Sequence, residues 1–397
     1  MRRSRTDGIF NDLHRTFIYA PVPNPSQMRI AHIGDTHVGF TAYRRADPAT
    51  GMNQREVDVY EAFERLIDSI IAKRPDLVLH AGDLFDSVRP SNRAMSVVLE
   101  QLLRLSEENI PIVLLAGNHS TPRLKETGSV FRLFEHIKGV YPVFTPGAHR
   151  LEFGDLLVTA FPHQDKDVLM EALHGWKRGK HRYEVGMLHA GFQGLSRYST
   201  GEANELNLQQ SLLNTDMDYI ALGHFHGMQQ VTQNAWYCGS IEHLSFSEVG
   251  ERKGYIIYDL ERRRVEKVDL STRPMHSLGP IAAKGKGAAA LQDELAAALG
   301  TVPLDGSIVR LVVNDIPSAL YRSLDVNSLR AQAEKAVHLE LSFNIVQENS
   351  SVQSRSATFE AMDREFESYL SGVPVEGVSK EQLRQRGLEY IRRGMEE

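Results

Sequence analysis

The sequence predicts an α/β fold: a mostly parallel sheet covered by helices, a second sheet stacked on it, a small α/β cap domain and a C-terminal helical tail. Three observations carry this. Between residues 28 and 272, short apolar runs alternate with longer stretches of helical periodicity, the pattern of repeated β-α-β units. Several of these runs stop at a glycine followed by Asp, Asn or His. Strand ends of that kind share one carboxyl edge, where layered α/β folds bind ligands. After Gly147 the strands become shorter, which a second sheet would explain.

Taken in order, residues 1–27 contain Asp7-Gly8, Asn11-Asp12 and the prolines 21, 23 and 25. They lack sustained periodicity and are expected to form a mobile extension. The first strand begins at Met28, which leaves Met28 open as an alternative start. Its apolar run, Ile30-Ala31-His32-Ile33, passes into Gly34-Asp35-Thr36-His37. Residues 56–73 space Val57, Tyr60, Phe63, Leu66, Ile67 and Ile70 along one helical face and stop at Arg74-Pro75. Leu77-Val78-Leu79-His80 leads to Gly82-Asp83, a helix follows over 92–107, and the run at 112–115 leads to Gly117-Asn118-His119-Ser120. Strands are expected at 151–153, 156–161 and 255–260. Further polar strand ends lie at His189 and at Gly223-His224-Phe225-His226.

From residue 273 to 348 these chemistry-bearing residues disappear. A helix over 288–299, a strand over 308–313, a helix over 326–337 and a strand over 339–346 read as the cap. Residues 349–356 are polar and read as a linker. Residues 359–370 and 380–393 read as two amphipathic helices, so 349–397 is linker and helical tail. Their apolar residues (Phe359, Met362, Phe366, Leu370; Leu383, Leu388, Ile391) lack an evident core. Such faces either pack back on their own domain or grip a partner.

A length of 397 residues allows two or three domains. An apolar fraction of 42% supports a sizeable core, and a net charge of -6 announces no nucleic-acid binder, although a local basic groove suffices to hold phosphates. The single cysteine, Cys238, excludes an internal disulfide framework and fits a reducing cytoplasm. No apolar run approaches the roughly 20 residues of a membrane helix. Arg2, Arg3 and Arg5 begin like a signal peptide, but Asn11, Asp12, His14 and Arg15 interrupt its apolar region. A cytoplasmic location is expected.

The polar strand ends read as a two-metal site. Asp35 and His37 are two apart, so in an extended segment both face the same side and can chelate one ion. Asp83 can bridge two ions through its two oxygens, and Asn118 offers a neutral carbonyl oxygen. His189, His224 and His226 supply imidazoles. Mixed nitrogen and oxygen donors without thiolate suit Mn²⁺, Fe or Zn, and the oxygen share favours Mn²⁺. Two ions about 3.5–4 Å apart would hold a bridging water and acidify it to a hydroxide that attacks phosphorus. His119 follows a ligand position, so its ring should point toward substrate, to donate a hydrogen bond or a proton. The remaining histidines read as structural: His32 and His80 in the core or behind the ligands, His163 and His243 at the rim.

In this order, Gly34-Asp35-Thr36-His37, Gly82-Asp83, Gly117-Asn118-His119, His189 and Gly223-His224-Phe225-His226 resemble the calcineurin-like metallophosphoesterase superfamily. Within it, the stretches 28–39 and 79–86, Val88-Arg89-Pro90-Ser91 and Phe161-Pro162-His163 are similar to the SbcD family, bacterial relatives of the meiotic-recombination-eleven nucleases that process broken DNA. The resemblance implies a two-sheet sandwich flanked by helices. It places one ion on Asp35, His37, Asp83 and His226, the other on Asp83, Asn118, His189 and His224, and His119 on the phosphate. It also implies endo- or exonucleolytic cleavage of DNA, a homodimer, and an SbcC-type coiled-coil ATPase gripped near the C-terminus. Two departures stand out. Ser120 replaces the acidic residue that usually follows Asn-His, which questions how His119 is oriented. Asp86 stands where archaeal and eukaryotic relatives often carry histidine, which leaves the preference between exo- and endonuclease modes open.

For DNA contact, Arg44-Arg45 follows the first metal motif, and Trp176-Lys177-Arg178-Gly179-Lys180-His181-Arg182 is a compact basic loop with an aromatic. Both could hold phosphates. Two other readings compete with a nuclease: a phosphodiesterase or phosphatase of small nucleotides or phosphoesters, and a scaffold with a vestigial site.

Overall fold

The computed structural model describes residues 14–19, 28–121, 128–174, 176–194, 207–346, 366–367, 369–370 and 379–393. The first part runs β1 His14–Tyr19, β2 Arg29–Ile33, α1 Gln54–Lys73, β3 Leu77–His80, α2 Asn92–Glu107, β4 Ile112–Leu115 and β5 Val140–Val143. Next come β6 Ala148–Phe153, β7 Leu156–Phe161, α3 Lys166–His174, β8 Tyr183–His189, β9 Gly191–Phe192, β10 Asn207–Leu208 and β11 Tyr219–Gly223. The short β12 Gln229–Gln230 and β13 Ala235–Tyr237 precede a hairpin of β14 Gly254–Asp259 and β15 Arg264–Asp269. The last elements are β16 Met275–Ala282, α4 Ala288–Leu299, β17 Ile308–Pro317, α5 Ser318–Ser323, α6 Val326–Gln332, β18 His338–Val346 and a terminal helix, Lys380–Arg393.

Two sheets face each other. One has the order β15-β14-β2-β3-β4-β5, the other β1-β6-β7-β8-β11-β13-β12. Strands β2 to β5 are parallel, as are β7, β8, β11 and β13. Side chains alternate between two buried faces, as a strand period of two requires. Ile30, Leu77, Leu79, Val113 and Leu115 meet Val158, Val185, Met187, Tyr219 and Ala221 between the sheets. The intervening Ala31, Val78, Ile112 and Leu114 face outward under α1 and α2, while Leu188, Ile220 and Leu222 pack under α3. Both outer helices start on a cap: Asn53 accepts from the N–H of Arg55, and Ser91 from that of Ala94. Among the described residues, no helix is long and apolar enough to cross a membrane.

The cap is a three-stranded parallel sheet, β16-β17-β18. Leu291, Leu295 and Leu299 of α4, one turn apart, seal one of its faces. It docks through Phe246, Met275 and Ile308. Tyr43 stacks on His338 at 3.9 Å, and Arg273 clasps the Asp58 carboxylate while donating to the Gly306 carbonyl at 2.7 Å.

Three expectations change. Residues 14–19, assigned to a mobile extension, form a strand parallel to β6; its partner lies far along the chain, and no local periodicity announces it. The helix expected over 326–337 stops at Gln332. Strand β16 was not expected, because Gly279 and Pro280 break its pattern and the pairing to β17 shifts register there. The 349–356 linker and most of the 359–370 helix fall outside the described residues. The 380–393 helix is present.

Candidate metal centre

Five strand ends from the two sheets converge. Asp35 and His37 follow β2, Asp83 follows β3, and Asn118 and His119 follow β4 in a short 3-10 turn; His189 ends β8, and His224 and His226 follow β11. Backbone bonds lock them together. Asp35 N–H donates to Gly82 O and His37 N–H to Asp83 O, both at 3.0 Å. The His119 N–H reaches Asp83 Oδ1 at 3.0 Å, and the His224 N–H reaches Asp35 Oδ1 at 2.9 Å. Two glycines are required by close approach. A Cβ on Gly82 would lie 2.1 Å from His189 Nδ1, and one on Gly117 would lie 2.2 Å from Asp83 Oδ1.

The backbone here is strained. Asp35, His37, Asp83 and His224 have φ of 47°, 43°, 48° and 109°, left-handed values that cost non-glycine residues about 1–3 kcal/mol each. Four such residues in one place are retained only where geometry matters more than local comfort.

The donors fall into overlapping groups. Asp35, His37 and Asp83 place ligand atoms within 4.8 Å of one another, as do Asp83, His189 and His224. Asp83 belongs to both, the arrangement a bridging carboxylate needs, and a third group joins His37, Asp86 and His119. His189 tests the fit. Its Nδ1 donates to the Ala81 carbonyl at 2.9 Å, while its Nε2 lies 3.0 Å from Asp83 Oδ2 and 2.8 Å from Asn118 Oδ1. A ring nitrogen crowded by two oxygens needs a positive charge among them, a proton or a cation. Burial pushes the His189 imidazole down, but the charge and hydrogen bond of Asp83, helped by Asp35, hold it up at about 9. For Asp83 burial opposes ionisation, yet the imidazoles of His189, His37 and His119 keep it well below the carboxylate range. Asp35 is raised by burial, only partly countered by His189 and His226. His37 donates from Nδ1 to Asp86 Oδ1 at 3.2 Å, and its buried Nε2 has no hydrogen-bond partner among the described residues. The donors therefore fit a pair of divalent ions, with no thiolate among them.

Residues 28–228, just over half of the chain, match the calcineurin-like phosphoesterase family. The chain belongs to that family. This phosphoesterase is thus a metal-dependent phosphodiesterase, of a family built on a dimetal centre. Among curated proteins it is similar to the DNA double-strand break repair protein Mre11 of Methanococcus maripaludis, 28% identical over 266 residues, 62% of this chain and 68% of that protein. The protein of the same name from Sulfurisphaera tokodaii is 32% identical over 208 residues, 51% of this chain and 49% of that one. The Methanocaldococcus jannaschii protein is 28% identical over 268 residues, 62% and 68% of the two chains.

Around the phosphoesterase centre, His226 lies beside the two groups, its ring 5.0 Å from that of His37. The ring of His119 is 4.9 Å from His37, and its Nδ1 donates to the Asp86 carbonyl at 2.8 Å. That carbonyl orients the ring that Ser120 left in question, since Ser120 is buried with its hydroxyl unpaired among the described residues. His32 and His80 are fully buried and not ligands. His32 bonds the Tyr219 hydroxyl and the Leu222 carbonyl, His80 bonds Thr36, and burial lowers both to about 3. Asp86 was noticed only as a departure from a pattern. Glu248 and Lys253 were missed, and no local motif marks them.

The two basic segments separate. Arg44 and Arg45 line a cleft of about 350 Å³ with Arg330, Val337 and His338 of the cap. Arg330 was also missed. Lys177, Arg178, Lys180 and Arg182 precede β8, whose far end carries His189. Seven extended residues span roughly 20 Å, so this loop sits at the edge opposite the metal centre. Arg178 is held by Asp218 at 2.8 Å, Arg182 by Glu261 at 2.9 Å, and Trp176 is buried 5.2 Å from Phe161. Its charges face water or acidic partners.

Proposed function

We propose that this phosphoesterase is a DNA endo- or exonuclease of double-strand-break repair or DNA end processing, using two Mn²⁺ ions in the cytoplasm. The observation that carries the reading is the convergence of Asp35, His37, Asp83, Asn118, His189, His224 and His226 from two sheets, with Asp83 common to both donor groups. The relatives named as break-repair proteins support DNA as the substrate. One ion would be held by Asp35, His37, Asp83 and His226, the other by Asp83, Asn118, His189 and His224.

Held there, a pair of ions would supply an acidified water as nucleophile and a counter-charge for the phosphoryl oxygens. Every further task falls to side chains. The Asp86 carbonyl, accepting from Nδ1, orients the His119 ring, and that imidazole would give a proton to the leaving oxygen or bond the phosphoryl group. Arg44, Arg45 and Arg330 seat the DNA backbone in the seam beside the cap.

We assign the C-terminal tail to an SbcC-type coiled-coil ATPase, supported by the exposed Tyr369, Leu383 and Tyr390. A homodimer is supported by Leu99 and Leu103, one turn apart on α2 and 42% and 44% exposed. The test is substrate choice with Mn²⁺. Linear duplex DNA should be degraded far faster than bis-p-nitrophenyl phosphate, and the reverse order would favour a small-phosphoester enzyme.

A further inference from the structure

We infer that Glu248 and Lys253 are positioning residues for His226, fixing the ring that completes one ion's coordination. The inference rests on the reading of His226 as a ligand. His226 lies on the loop after β11, and Glu248 lies on the 3-10 turn Phe246–Glu248. Glu248 Oε1 stands 3.0 Å from His226 Nδ1. A carboxylate in this pairing accepts, so Nδ1 donates and the Nε2 lone pair is left for a cation.

Glu248 is itself held in place. Its Oε2 accepts the Leu244 N–H at 3.2 Å and the Lys253 ammonium at 2.5 Å, and the Ser245 hydroxyl reaches Oε1 at 3.3 Å. The Lys253 side chain is 0% exposed. Its Nζ also lies 3.0 Å from Ser240 Oγ, 3.1 Å from Glu251 Oε2 and 3.0 Å from the carbonyl of His226 itself. One buried ammonium therefore holds both the backbone of His226 and the carboxylate that aims its ring. A buried ion pair is weak as a stabiliser, since apolar residues of similar volume often serve as well. Here its placement serves direction: a ligand on an irregular loop is referenced to a single fixed point.

The test titrates metal-free protein with Mn²⁺ by calorimetry and follows folding by circular dichroism and thermal melting. Glu248→Gln is expected to weaken one of the two ions about 10- to 100-fold and leave the other unchanged. The double variant Glu248→Gln/Lys253→Met, which leaves no unpaired buried ammonium, should do the same if the single variant folds poorly. His226→Ala is the reference and should weaken the same ion. Wild-type uptake of both ions by the double variant, beside a lost ion in His226→Ala, overturns the positioning role. So does equal weakening of both ions with a lowered melting temperature, which marks a merely structural pair. Wild-type uptake by His226→Ala overturns the ligand assignment instead.

Discussion

The carboxylate of Asp35 accepts the backbone N–H of His224 through both oxygens, at 2.9 and 3.1 Å, and so joins the end of β2 to the end of β11 across the two sheets. Asp35→Asn keeps an acceptor for that N–H, whereas Asp35→Ala leaves it buried and unpaired. In metal-free protein, chemical denaturation should show Asp35→Ala about 1–3 kcal/mol less stable than Asp35→Asn. Both should lose a tightly held Mn²⁺. Identical denaturation midpoints for the two would show that the bond contributes nothing to joining the sheets.

The His119 ring is held at Nδ1 by the Asp86 carbonyl, and its backbone N–H by Asp83 Oδ1. His119→Ala should keep both ions by metal analysis while cleavage falls about 10²- to 10⁴-fold. An emptied site in this variant would make His119 a ligand and not a proton carrier.

The arginines of the seam and those of the 177–182 loop separate two views of how DNA lies. Changing Arg44, Arg45 or Arg330 to alanine should weaken duplex binding and lower the salt dependence by about one unit of slope each. Lys180→Ala should leave both unchanged. The opposite ranking, measured by fluorescence anisotropy over a salt series, would move the DNA to the other edge of the sheet.

His32 links the sheets as a neutral ring, between the Tyr219 hydroxyl and the Leu222 carbonyl. Burial lowers it to about 3 from the 6.5 of an exposed histidine. A depressed histidine means that the unfolded chain binds the extra proton, so stability is full above pH 6.5 and is lost as pH falls toward 3. At pH 5 the loss relative to pH 7 is roughly 2 kcal/mol. Urea denaturation of His32→Gln should show a flatter dependence by that amount. An unchanged pH slope would mean that another group carries the acid sensitivity.

Deleting residues from about 355 onward should leave Mn²⁺-dependent cleavage intact and abolish capture by the coiled-coil ATPase. Capture at wild-type strength by the shortened chain would return the tail helices to this protein's own core.

The candidate ligands stood out because Asp35, Asp83, Asn118 and His224 each follow a glycine that ends an apolar run, and His37 and His226 lie two residues further on, a local pattern. Strand β1 was not, since its partner Ala148–Phe153 lies more than a hundred residues further on. The Glu248 and Lys253 contacts with His226 are purely tertiary, so nothing near them in the chain announces them. The place of the basic loop was hidden for a related reason: clustered lysine and arginine say that a segment meets water, but not which end of a strand it adjoins. Trp176, the aromatic of that loop, fills the core beside Phe161.

The turn Phe246–Glu248 faces two ways. Arg310 of the cap lies over the Phe246 ring at 4.2 Å, while two residues later Glu248 touches His226. Only this three-residue turn separates the two contacts, so a tilt of the cap would be felt at the imidazole of His226, and whatever gripped the cap would also reach the site proposed for the ions.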